Sequence, residues 1–134
     1  VRIDYNGTPL YVHPVDNSES IEWGGYGAPV KANSLTDGKK NTEAITDSLG
    51  EGDYAAYVCD TLTAYGYDDW YLPSKEELSA IFSQYDKLVD LNTDTYWSST
   101  EAGEDEAWSQ SFYSGNKTTI KKYHLRKVRC VRKE

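Results

Sequence analysis

The apolar residues of this chain change period once, and that change confines the fold. Between residues 53 and 85 they recur at helical spacing, and from Thr95 onward they alternate with period two. Helices followed by a run of strands read as α+β, with helices packed on an antiparallel sheet. Ala55, Val58, Cys59, Leu62 and Tyr65 form one apolar face of a helix over 54–65, with Asp53 as cap and Gly66 as stop. Ser74 and Glu77 are spaced as a capping box, in which each side chain bonds the other's backbone N–H. Leu78, Ile81, Phe82 and Tyr85 then make the buried stripe of a second main helix over 75–85. Strands are expected over 96–99, 107–113, 118–123 and 127–132, with Ser114-Gly115-Asn116 as a turn. In the last strand Val128 and Cys130 share a face opposite Lys127, Arg129 and Val131.

The N-terminal part is less regular. Residues 1–12 read as two short strands around Asn6-Gly7, a dipeptide suited to the positive φ angles of a tight hairpin. Residues 14–40 read as long irregular loop, and Asn41 as the cap of a short helix over 42–48. No repeat or linker interrupts the chain, so its 134 residues are expected to form a single domain. No apolar run approaches the ~20 residues of a membrane span, and no membrane insertion is expected. The start at Val1, without Met or a leader, suggests a fragment of a longer protein.

Charge is unevenly spread. Residues 1–114 carry a net charge of −15, and residues 115–134 a net of +7. The bases of the C-terminal stretch are Lys117, Lys121, Lys122, Arg126, Lys127, Arg129, Arg132 and Lys133. They form either a counter-charge for the acidic body or an anion-binding face, since Arg presents a planar fork of donors and Lys a point charge. Arg129 and Arg132, beside Cys130, are the bases most suited to internal pairing. Tyr123 and His124 lie among them and could stack on or hydrogen-bond a sugar.

Catalytic patterns are missing. His13 and His124 are the sole histidines, and no HExxH, GxSxG or phosphate-binding loop occurs. The chain is not expected to be an enzyme, and no cofactor is expected. Asp68-Asp69 and Glu104-Asp105-Glu106 lack EF-hand spacing and read as solvated acidic loops, so no metal is expected. Cys59 and Cys130 are too far apart for a zinc ribbon or a CxxC redox pair. The residues alone leave a disulfide or two buried thiols open. A bridge would close a loop of about 70 residues, contribute roughly 4 kcal/mol and imply an oxidising compartment.

Several segments in order resemble one family. They are Trp23-Gly24-Gly25-Tyr26-Gly27, Asp37-Gly38-Lys39-Lys40-Asn41-Thr42, Tyr57-Val58-Cys59-Asp60, the run from Gly66 to Leu78, Tyr96-Trp97-Ser98-Ser99-Thr100-Glu101, Ala107-Trp108 and Val128-Arg129-Cys130-Val131-Arg132. Over about residues 22–132 the chain is similar to the C-terminal domain of the Legionella collagen-like protein. The resemblance implies a C-type-lectin-like fold, with two main helices on a twisted antiparallel sheet and long loops. It also implies a disulfide between Cys59 and Cys130, a homotrimer, and a secreted or bacterial cell-surface location.

The functional expectation follows from the basic stretch and the resemblance together. The domain is expected to be an adhesin head that binds anionic carbohydrate, above all sulfated glycosaminoglycans such as heparin, through its basic C-terminal surface. The alternative is a protein-binding or structural surface domain with the basic stretch at a subunit interface. Nucleic acid is not an expected partner, because the body is acidic. A paired Lys122→Glu, Arg126→Glu substitution is expected to abolish polyanion binding and leave the fold intact.

Overall fold

The computed structural model describes residues 1–88 and 93–134. Among these residues the architecture is α+β, with three α-helices and two sheets. The chain opens with a hairpin, β1 (Arg2–Tyr5) and β2 (Thr8–Val12), turned at Asn6-Gly7, whose φ angles are 52° and 81°. Both angles lie in the left-handed region, as a two-residue hairpin turn requires. A short strand, β3 (Ser18–Ile21), lies in the stretch expected to be irregular. Its polar sequence hides it, because its backbone partners are 105 residues or more away in sequence.

Three helices follow. α1 (Gly38–Leu49) is longer than the expected helix over 42–48 and starts earlier. Its cap is Asp37, whose carboxylate accepts the Lys40 N–H at 3.1 Å. Asn41 is not the cap: it is buried in the first turn, where its amide accepts the Ser34 N–H at 2.9 Å and donates to the Ser34 carbonyl at 2.7 Å. Gly38 is required by close approach, since a Cβ there would meet the Leu72 carbonyl at 2.6 Å. α2 (Ala55–Asp60) is shorter than the expected 54–65, and its cap position is Tyr54 rather than Asp53, with no side-chain cap bond. It stops early because residues 64–67 close a separate tight turn, in which Ala64 and Tyr67 exchange backbone hydrogen bonds at 3.0 Å. α3 (Lys75–Ser83) carries the expected capping box, with Glu77 N–H to Ser74 Oγ at 3.2 Å and Ser74 N–H to Glu77 Oε1 at 3.0 Å. A single 3-10 turn, Tyr85–Lys87, follows it.

The C-terminal half supplies β4 (Thr95–Glu101), β5 (Glu106–Ser111), β6 (Lys117–Lys121), β7 (Arg126–Val128) and β8 (Val131–Lys133). The larger sheet runs β3-β7-β4-β5-β6 and the smaller β1-β2-β8. All pairs are antiparallel except β4 with β7, which pair in parallel at Tyr96 and Lys127. The expected strand over 127–132 is thus two strands in two sheets. At the crossing the Cys130 carbonyl accepts the His13 N–H at 2.9 Å, and the Cys130 N–H donates to the Asn17 side chain at 2.7 Å. Alternation fails there, because Val128, Arg129, Cys130, Val131 and Arg132 are all buried.

Two apolar cores result. One holds Trp23, Ile45, Ala55, Cys59, Leu72, Trp97 and Val128, under α1 and α2. The other holds Ile3, Leu10, Tyr71, Leu78, Ile81, Tyr96 and Val131, between the smaller sheet and α3. Cys59 and Cys130 form a disulfide with a Cα–Cα distance of 5.5 Å, tying α2 to the crossing between sheets. No helix of the described residues is long and apolar enough to cross a membrane.

Candidate ligand-binding surface

The basic stretch divides into a buried and an exposed part. Lys122 follows β6, where strand alternation gives way to a turn. Its carbonyl accepts the Trp23 N–H at 3.0 Å and its N–H donates to the Asp105 carbonyl at 2.8 Å. The side chain is thereby directed inward and is fully buried. Its ammonium meets Glu101 at 2.7 Å, donates to the Ala28 carbonyl at 3.1 Å and lies 4.8 Å from the Trp23 ring. Glu101 also accepts the Val30 and Lys31 N–H groups at 2.8 and 2.9 Å, so one ion pair holds residues 28–31 of the loop before α1.

Arg129 is equally enclosed. Its Nε and Nη2 donate to Asp16 at 3.0 and 2.7 Å, and Nη1 to the His13 carbonyl at 3.0 Å. Lys127 shares Asp16 at 3.8 Å and reaches Asp94 at the same distance. Arg132 makes a two-bonded fork with Asp69 at 2.7 and 3.1 Å. The fork holds the Asp69 carboxyl below the usual carboxylate range and pushes the guanidinium above its ordinary value. Lys133 meets the buried Glu77 at 3.3 Å, and Lys121 lies at 4.0 and 3.9 Å from Asp105 and Glu106.

Six of the eight bases therefore have carboxylate partners within the chain. Among the described residues, Lys117 and Arg126 carry no ion pair. They do not lie together, since Lys117 begins β6 and Arg126 begins β7. Tyr123 and His124 lie in the connection between these strands, and Arg126 follows as the first residue of β7, where it lines a shallow pocket with Glu19, Asp94 and Lys127. Tyr123 packs on His124 at 4.8 Å between centroids and meets Tyr26 edge-on at 4.9 Å. Tyr26 belongs to the glycine-rich loop held by the Lys122–Glu101 pair. Arg126 is half-buried and donates from Nη1 to the neighbouring Leu125 carbonyl at 2.7 Å.

A second concave surface escaped the sequence reading. Tyr11, Pro14, Tyr65, Tyr67, Trp70 and Arg132 line a cleft of about 520 Å³. Tyr65 was expected on the buried face of a helix. It is instead 69% exposed, because α2 ends before it and residues 64–67 form a turn. The signal available in the sequence was the run Ala64-Tyr65-Gly66-Tyr67, in which the glycine marks a turn as readily as a helix stop. Among the described residues no group of three or more His, Cys, Asp or Glu side chains could hold a metal ion.

No curated protein matches the chain. The sequence model of the Lcl C-terminal domain matches residues 15–132, starting somewhat earlier than the segments that carried the resemblance. That span takes in the disulfide, the larger sheet and every base of the basic stretch except Lys133, and by it the chain belongs to the Lcl C-terminal domain family.

Proposed function

We propose that this domain is the non-catalytic head of a bacterial surface adhesin, and that it binds anionic carbohydrate at the connection between β6 and β7. Membership of the Lcl C-terminal domain family supports a surface adhesin-type domain, and the disulfide is consistent with an extracellular location. The observation that carries the ligand class is that Arg126, without an ion pair among the described residues, follows in the chain directly after a cluster of rings, Tyr123 on His124 and edge-on to Tyr26. A guanidinium can take a sulfate or carboxylate through paired donors, while adjacent rings offer flat faces to a sugar. This site is smaller than the whole basic stretch, because Lys122, Arg129 and Arg132 neutralise internal carboxylates. One such patch binds weakly. Three copies in a homotrimer would convert weak contacts into avidity.

The test is retention on immobilised heparin across a salt gradient, with native mass measured in the same buffer. Retention should fall steeply with salt, as screening of exposed charges dictates. Arg126→Glu should remove most of it without changing the thermal midpoint. Lys122 cannot serve in this test, since Lys122→Glu would set two carboxylates together in the interior. Equal retention of wild type and Arg126→Glu would move the site elsewhere. No retention at low salt would reject polyanion binding, leaving the bases as internal counter-charge.

A further inference from the structure

The cleft between Tyr11, Tyr65, Tyr67 and Arg132 lies apart from the connection that carries Arg126, and it differs in chemistry. It is built on an unfavourable backbone. Tyr65 has φ 56° and Gly66 φ 82°. Glycine adopts such a conformation freely and asparagine tolerates it, but a tyrosine there is disfavoured by its Cβ. The ring gains little burial in return: it is 69% exposed and touches His13 at 5.8 Å between centroids. Burial does not account for an aromatic at this position, and backbone strain of this kind is a pointer to function.

The opposite wall is tied down by several contacts. Arg132 stacks 3.5 Å from the Tyr67 centroid and lies 5.7 Å from that of Tyr11, while Asp69 holds its Nε and Nη2. Its Nη1 has no hydrogen bond among the described residues, nor do the hydroxyls of Tyr11, Tyr65 and Tyr67. The core tyrosines behave differently, for Tyr54, Tyr71 and Tyr96 each donate to an acceptor within the chain. The cleft thus combines flat apolar walls with four polar groups that have no hydrogen-bond partner among the described residues. Its guanidinium is already neutralised by Asp69, and the Val1 ammonium in the lining is offset by Glu134, so the cleft has no excess positive charge to select a polyanion.

We infer that this cleft binds one uncharged pyranose ring, stacked on the tyrosines and hydrogen-bonded at its rim by the phenol hydroxyls and Arg132 Nη1. A ring with an apolar C–H face and a hydroxyl edge matches both kinds of group, and the cleft is of ligand size. The site is independent of the anion-binding connection and would survive its failure.

The experiment is an NMR titration of the whole chain with three uncharged probes: methyl β-galactoside, methyl β-glucoside and methyl α-mannoside. The reporter is the Trp70 indole N–H, which donates to the Ala64 and Tyr67 carbonyls that frame the turn. At least one glycoside should shift it at millimolar concentration, equally in low and high salt. Tyr65→Asn and Tyr65→Gly should weaken that binding by about tenfold, with a thermal midpoint no lower than wild type. No Trp70 shift with any of the three, or unchanged binding in both variants, would overturn the inference. Shifts from a proline-rich peptide alone would also overturn it, in favour of a protein partner.

Discussion

Lys122 shows how far one residue's role can lie from what its neighbours suggest. Within a run of eight bases it reads as one more surface charge, yet it is fully buried against Glu101 at 2.7 Å. The partner sits at the end of β4, and nothing in the spacing of residues 117–133 announces it. The pair is structural twice over, since Glu101 also holds the Val30 and Lys31 N–H groups. Lys122→Met keeps the aliphatic length and removes the charge, leaving a buried carboxylate with two backbone donors and no cation. Breaking a buried pair in this way costs about 3 kcal/mol. The expected outcome is a lower urea midpoint with an unchanged denaturant slope. A variant as stable as wild type would show that the two N–H donors alone satisfy Glu101.

Elements fall into two groups according to how far away their determinants lie. The start of α3 is legible because both halves of its capping box lie within four residues, and the structure shows both hydrogen bonds. The opening hairpin is legible for the same reason, through Asn6-Gly7. Ser74→Ala should remove one cap bond from a fully buried site, at about 1 kcal/mol. The thermal midpoint should then fall by roughly 3 °C for a chain of this size, read by circular dichroism. No change would mean that the Glu77 side chain alone sets the helix start. Other boundaries answer to distant groups. α1 begins at Gly38 because the Gly38 N–H donates to Glu77 Oε1 at 2.9 Å, a partner 39 residues on. β3 exists because β7 lies beside it, and the last strand divides because His13 and Asn17 take the backbone groups of Cys130. The candidate anion site was legible only in part. The sequence shows where the bases are, but which of them are neutralised depends on Asp16, Asp69, Glu77 and Glu101, all brought in from outside the stretch. Of the aromatic cleft only the glycine-marked 64–67 turn was legible, because its other walls come from β2 and β8, far apart in sequence.

For the molecule as a whole, the charge asymmetry has a geometric meaning. The C-terminal segment is not an appendage of an acidic body. It is threaded through the body as β7 in one sheet and β8 in the other, and its bases meet carboxylates on both sides of the crossing. Neither sheet is complete without it. Folding therefore waits on contacts between the first residues and the last, and such long-range closures carry a large entropic cost. The Cys59–Cys130 bridge, with its sequence separation of 71, removes much of that cost from the unfolded chain. Its position at the crossing is where a covalent tie restrains both sheets at once. Replacing both cysteines by alanine should cost roughly 4 kcal/mol in the chain-entropy model, measured as the shift of the urea midpoint relative to the oxidised protein. Reduction of the wild type should reproduce most of that shift. If the loss is small and confined to the turn near α2, the segment is held by its ion pairs and sheet bonds instead. A full loss shared by probes in both sheets would show that one covalent link stabilises the two halves together.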